Sequence, residues 1–143
     1  MRAGKLFTAV AVLNAALGLH NLALANPASG PTPSIAPAEV VRKEVIAFNA
    51  HDAVAVAKWH GPDAKLRLVP QGKVLATGRT AITAFFKHVF DSSPNVRITL
   101  QKQLVLGRMV INYYSESGSK YTAVISTYQV ENGSIANEWI TFG

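Results

Sequence analysis

The chain has 143 residues, with 14 Lys and Arg against 8 Asp and Glu, a formal charge of +6, and no cysteine. Disulfides, thiol catalysis and cysteine metal sites are thereby excluded, so the folded core must supply the stability itself. The basic residues are scattered as singles or as the pair Arg42-Lys43, a solvated surface rather than the clustered face of a nucleic-acid binder.

Arg2 and Lys5 precede an almost unbroken apolar run over 6–19, and Ala23-Leu24-Ala25 follows it. That order is the order of a signal peptide, here 1–25 with cleavage near Ala25, which implies a periplasmic or secreted protein. The run is shorter than the roughly 18–20 residues a spanning helix needs, so no stable membrane anchor is expected. Without Arg2 and Lys5 the balance falls to 12 basic against 8 acidic residues. Residues 26–37 carry four prolines among Ser, Thr and Gly, which reads as a flexible leader. One folded domain is expected over 38–143.

Residues 38–49 place Val41, Glu44, Val45 and Phe48 on one face at helical spacing. A second helix is expected over 52–59, N-capped by Asp52 and stopped by Gly61-Pro62. A hairpin follows: 64–69 alternates around Leu66 and Leu68, Pro70-Gln71-Gly72 turns, and 73–77 returns. Gly78 breaks that strand. A third helix over 79–90 carries Ile82, Phe85, Phe86, Val89 and Phe90, a stripe broad enough for a mostly buried helix. After Ser92-Ser93-Pro94 the period drops to two, giving strands over 96–106, 109–116, 120–130 and 135–142. Turns fall at Gly107-Arg108, Ser117-Gly118 and Asn132-Gly133. Helices first and an antiparallel meander afterwards predict an α+β domain with helices on one sheet face. Strands this long must bend, so one face should be concave.

Three stretches carry a likeness: Phe48-Asn49-Ala50-His51-Asp52, the run from Gly78-Arg79-Thr80 to Phe85-Phe86, and Tyr128-Gln129-Val130-Glu131-Asn132-Gly133. Their order over 38–142 resembles the nuclear transport factor 2-like superfamily, in particular its SnoaL-like and ketosteroid-isomerase-like domains. The resemblance implies a cone-shaped α+β barrel, three helices on a curved, mostly antiparallel sheet, enclosing a largely apolar cavity. Isomerases, cyclases, dehydratases and non-catalytic binding or dimerising domains share that architecture, so it does not fix a reaction. The isomerases' catalytic aspartate, just before a proline, is matched here by Val69, and their oxyanion tyrosine by Glu44. No Asp follows Asp91. These departures argue against that isomerase mechanism.

Glu44 lies on the apolar stripe between Val41 and Phe48. The commoner outcome for such a residue is the stripe's edge, paired with a Lys or Arg. If it faces the cavity instead, burial raises its pKa and makes it a general acid–base group, with His51 two turns on as partner. The expected pocket lining is Val41, Val45, Phe48, Trp59, Val69, Phe85, Phe86, Tyr113, Tyr128 and Trp139. Alternation allows only one of Tyr113 and Tyr114 inside. His60 is expected to be a capping or surface residue, His88 to be exposed, and Arg67 to be solvated while Leu66 and Leu68 point inward. The four histidines lack metal-site spacing, and no phosphate loop or nucleophile elbow occurs, so neither metal nor cofactor is expected. Three functions stay open: a pocket for a small apolar or amphipathic molecule, an isomerase, cyclase or dehydratase using Glu44, or a module that forms a homodimer through its sheet.

Overall fold

Pro37 opens helix α1 (Pro37–Asn49), at a position where its missing N–H has no helical partner to lose. A computed structural model describes residues 35–143. The expected signal peptide and all but the last three residues of the leader lie outside them. Helix α2 (Ala53–Lys58) is capped by the Asp52 carboxylate, which accepts from the Ala55 N–H at 2.9 Å. The chain then runs straight into β1 (His60–Leu68), followed by β2 (Lys73–Thr77) and helix α3 (Gly78–Ser92). Strands β3 (Arg97–Leu106), β4 (Met109–Ser117), β5 (Ala123–Glu131) and β6 (Ser134–Phe142) complete the fold. Among the described residues no helix is long and apolar enough to cross a membrane.

The architecture is α+β, with the helices packed on one curved sheet of order β2-β1-β6-β5-β4-β3. All neighbours are antiparallel except β1 and β6. One expectation needs correction. Gly61-Pro62 does not separate a helix from a later strand, because β1 already begins at His60. His60, Ala64 and Leu66 are buried but Pro62 between them is exposed, and the β1–β6 register shifts between His60 and Lys65, so the alternation at Leu66 and Leu68 is interrupted at the proline.

Ile82, Phe86 and Phe90 of α3 form the centre of the main core with Val56, Leu66, Tyr114, Val124 and Ile140. Phe48 of α1 meets Phe86 and Phe90 edge-on, with ring centres 5.9 and 5.2 Å away. Burying each such ring contributes roughly 1.5–3 kcal/mol. A second cluster, with Val40 and Val41 of α1 against Val110, Tyr128, Val130 and Ile135, closes the other end of the sheet.

The loop after α3 is fastened by polar contacts. Asn49 imitates a strand neighbour, donating to the Ile98 carbonyl at 2.8 Å and accepting from its N–H at 2.9 Å. His51 donates from Nε2 to the Val96 carbonyl at 2.8 Å and stacks on Phe90, ring centres 4.6 Å apart. Opposite, the β4–β5 turn presses its backbone against the same loop. A Cβ on Gly118 would lie 2.0 Å from the Asn95 carbonyl oxygen, at a φ of +75°. Neither group can yield, because both are backbone. Gly118→Ala is therefore expected to lower unfolding free energy by about 2–4 kcal/mol, measured by urea denaturation. Unchanged stability would show that the turn moves freely.

Candidate functional site

Between α1, α3 and the concave sheet face lies a cavity of about 590 Å³. The sheet supplies its wall by strict alternation: Tyr114 and Glu116 from β4, Val124, Ser126 and Tyr128 from β5, and Glu138, Ile140 and Phe142 from β6. Pairing sets these side chains in rows, with Tyr114 beside Val124 and Phe142, and Tyr128 beside Glu138. Phe48, Phe85, Phe86 and Val89 form the helical wall. Exposed His88, Ser92, Gly118 and Lys120 ring the mouth, where Tyr121 stacks on Phe142 at 4.2 Å.

The floor is polar although it is the most buried part. Glu44, Glu138, Tyr114, Tyr128 and Ser126 are each no more than 4% exposed and all line the cavity. Glu44 Oε2 is buried without a hydrogen-bond partner. Burial first, and the neighbouring Glu138 carboxylate second, hold the Glu44 pKa well above the usual carboxylate range, while the Tyr128 hydroxyl pulls it down. Burial likewise pushes both tyrosines up, reinforced by the negative charge of Glu44. They stay neutral donors.

A chain of side chains orients these hydroxyls. Gln103 Nε2 donates to Asn112 Oδ1 at 3.0 Å, and Asn112 Nδ2 donates to Tyr114 Oη at 2.5 Å. Tyr114 Oη and Tyr128 Oη are 3.2 Å apart. Each phenol has one proton. When Glu44 is ionised, the Tyr128 proton turns to that carboxylate, the stronger acceptor. Tyr114 then directs its own proton to Tyr128. When Glu44 is protonated, the Tyr128 proton is released for another acceptor.

Set against the expected lining, Phe48, Phe85, Phe86 and Tyr128 are in the wall. Glu44 is not at a surface edge but buried in the floor. His51 does not approach it, because its ring is spent on Phe90 and the loop after α3. Val41 and Val45 pack in and against the second cluster, as does Trp59, with Lys43 Nζ 5.1 Å from its ring centre. Val69 is outside the lining, continuing the β1–β6 pairing through its N–H to Ile140 O at 2.8 Å. Tyr113 is 41% exposed on the opposite sheet face, and Tyr114 takes the inner place. Trp139 also faces outward, under the half-buried Arg67 guanidinium at 5.7 Å. His60 is fully buried rather than a surface cap. Nothing in the sequence pattern singles out Glu138, which is buried in the floor. Among the described residues no His, Cys, Asp or Glu group of three is arranged to hold a metal.

A family profile, the SnoaL-like domain, matches residues 41–138 and so takes in the helices, the sheet and the cavity floor. The chain belongs to that family. This SnoaL-like protein shares the fold of the nuclear transport factor 2-like superfamily. One similar structure is an uncharacterized cystatin-fold protein from Novosphingobium aromaticivorans, with TM-score 0.69, 15% identity, and 75% of this chain and 98% of that one covered. Another is a nuclear transport factor 2-like protein of unknown function from Cytophaga hutchinsonii, with TM-score 0.63, 18% identity, and coverage of 78% and 94%. A third is IdmH, a candidate polyketide cyclase from Streptomyces antibioticus, with TM-score 0.64, 16% identity, and coverage of 76% and 92%. At these identities the likeness is one of fold. No curated protein matches the chain.

The Glu44 carboxyl binds its proton more tightly folded than unfolded. Its contribution to stability is therefore complete below the usual carboxylate range and is lost as pH rises toward the folded value. Glu44→Gln removes this dependence. Thermal unfolding from pH 4 to pH 8 is expected to show the variant gaining on the wild type above about pH 5. Parallel curves for the two proteins would place Glu44 in water.

Proposed function

We propose that this SnoaL-like protein binds a small, largely apolar carbonyl compound and moves a proton at the carbon next to the carbonyl. Such a step underlies isomerisation, cyclisation and dehydration alike. The observation that carries the reading is the partnerless, buried Glu44 Oε2 in the cavity floor. A cavity built only to hold a greasy guest gains nothing from a desolvated carboxylate there, because an unpaired buried polar group costs roughly 1–3 kcal/mol.

In this reading Glu44 is the base. Burial holds its pKa above that of an ordinary carboxylate, which makes it the stronger base. As Glu44 takes the proton its charge moves to the substrate oxygen. Tyr128 no longer needs to donate to Glu44, and its proton turns to the developing enolate, with Tyr114 supporting it. The aromatic wall excludes water from the enolate. The cyclase description of IdmH is compatible with this class of step.

The test is deuterium uptake from heavy water into a panel of enolisable bicyclic ketones, followed by mass spectrometry. Glu44→Gln is expected to slow exchange by about 10²–10⁴-fold, and Tyr128→Phe by about 10–100-fold, with ketone binding retained. Ketones that bind but exchange no faster than in buffer would leave a binding pocket alone. So would equal rates for Glu44→Gln and wild type.

A second reading concerns assembly and stands on a separate observation. Leu104, Ile111, Tyr113 and Ile125 are 37–61% exposed on the outer sheet face, where Leu104 pairs with Ile111 and Tyr113 with Ile125. Adjacent exposed apolar side chains of this kind are suited to a second copy of the chain. Sedimentation equilibrium is expected to show a dimer that Ile111→Glu weakens at least about tenfold. A wild-type monomer at millimolar concentration would remove this reading.

A further inference from the structure

His60 lies behind the cavity floor and is fully buried. Its Nδ1 is 3.1 Å from the Val56 carbonyl oxygen. A carbonyl can only accept, so Nδ1 carries a hydrogen. Its Nε2 lies 3.4 Å from Glu138 Oε2. With Nδ1 protonated, a neutral imidazole has a bare Nε2, which cannot bond to an ionised carboxylate. The contact therefore calls for one further proton. Either Nε2 holds it and Glu138 is a carboxylate, or Oε2 holds it and the ring is neutral. Both forms have zero net charge, which is what a site excluded from water favours.

Among the described residues no other cationic side chain is bonded to the Glu138 carboxylate. Helix α2 presents the Val56 carbonyl to the imidazole, and α3 presents the Phe86 ring at 6.5 Å. Arg79 of α3 donates to the His60 backbone carbonyl at 2.8 Å. From α1, β4 and β5 the cavity floor receives Glu44, Tyr114 and Tyr128. Glu138 stands between these groups and His60, with its own side chain in the cavity wall.

We propose that His60 and Glu138 hold a single shared proton behind the floor, and that His60, acting through Glu138, is the positioning residue that sets the charge Glu44 faces. The inference deepens the reading of Glu44 as the base and rests on it. With the pair intact, the proton offsets the Glu138 charge in part, so Glu44 ionises against a weakened negative neighbour. Without His60, two carboxylates share one apolar floor. Only one of them ionises readily, because the second must do so against the first.

The experiment follows the Glu44 carboxyl carbon by NMR across a pH series in the full chain labelled with ¹³C-glutamate. Glu44→Gln identifies the signal. His60→Gln keeps an amide donor toward Glu138 but cannot supply the proton, and is expected to move the Glu44 midpoint up by about one pH unit or more. Glu138→Gln removes the neighbouring charge and is expected to move it down. The double variant should behave like Glu138→Gln, because His60 acts only through Glu138. In ¹⁵N-histidine spectra His60 Nδ1 should carry hydrogen throughout. A bare Nδ1 would overturn the proposal, as would a Glu44 midpoint that is the same in wild type and Glu138→Gln. If His60→Gln does not fold, the Glu138→Gln shift and the Nδ1 signal decide. None of these readouts needs turnover. A Glu44 titration that responds as described, in a protein whose Glu44→Gln variant exchanges ketone protons at the wild-type rate, sinks the base assignment alone.

Discussion

Two carboxyl groups held out of water at one end of an apolar space constrain the rest of this molecule. Each ionised carboxylate moved from water into such surroundings costs several kcal/mol unless charge or hydrogen bonds offset it. The fold offsets one of them with the His60 imidazole and gives the other a tyrosine hydroxyl while leaving one of its oxygens bare. The aromatic stripe of α3, the plug of Val40 and Val41 against β4–β6 and the fastened loop after α3 together bury this floor. Much of the core thus also serves to bury the floor.

How far the sequence revealed this depends on which rule governed each residue. The helical stripe of α1 and the aromatic stripe of α3 obey simple periodicity, and Phe48, Phe85 and Phe86 were legible from it. So were the antiparallel meander and the Asn132-Gly133 hairpin. The apolar-inside rule failed where the inner face is polar. Beside Asn112, Tyr114 looked like the outer partner of the Ile111–Tyr113 face, yet Asn112 is 1% exposed and bonded to Tyr114.

Strand β6 adds a different difficulty. Ile135 is buried, and strict alternation from it would bring Trp139 inside. The pairing of β5 with β6 shifts between Gln129 and Val130, so the buried set becomes Glu138 and Ile140, and Trp139 turns out. Such a shift has no signature in the residues themselves. The burial of His60 has no signature in the pattern either, since Gly61-Pro62 reads as a terminator and the β1–β6 register shifts between His60 and Lys65. His51 carried a plausible chemistry, and it is a φ of 57° and the stacking on Phe90 that commit it to structure.

The buried carboxyls and phenols occupy the floor of the cavity, opposite the exposed mouth. On the proposed reading a guest enters with its reactive head leading, and its tail rests among Phe142, Tyr121 and the exposed ring of His88 and Lys120. Recognition of the head is completed at a depth the tail never reaches. Lengthening or trimming the tail would then alter how long a guest stays far more than what happens to it, and a family of compounds sharing one head could be processed by the same floor.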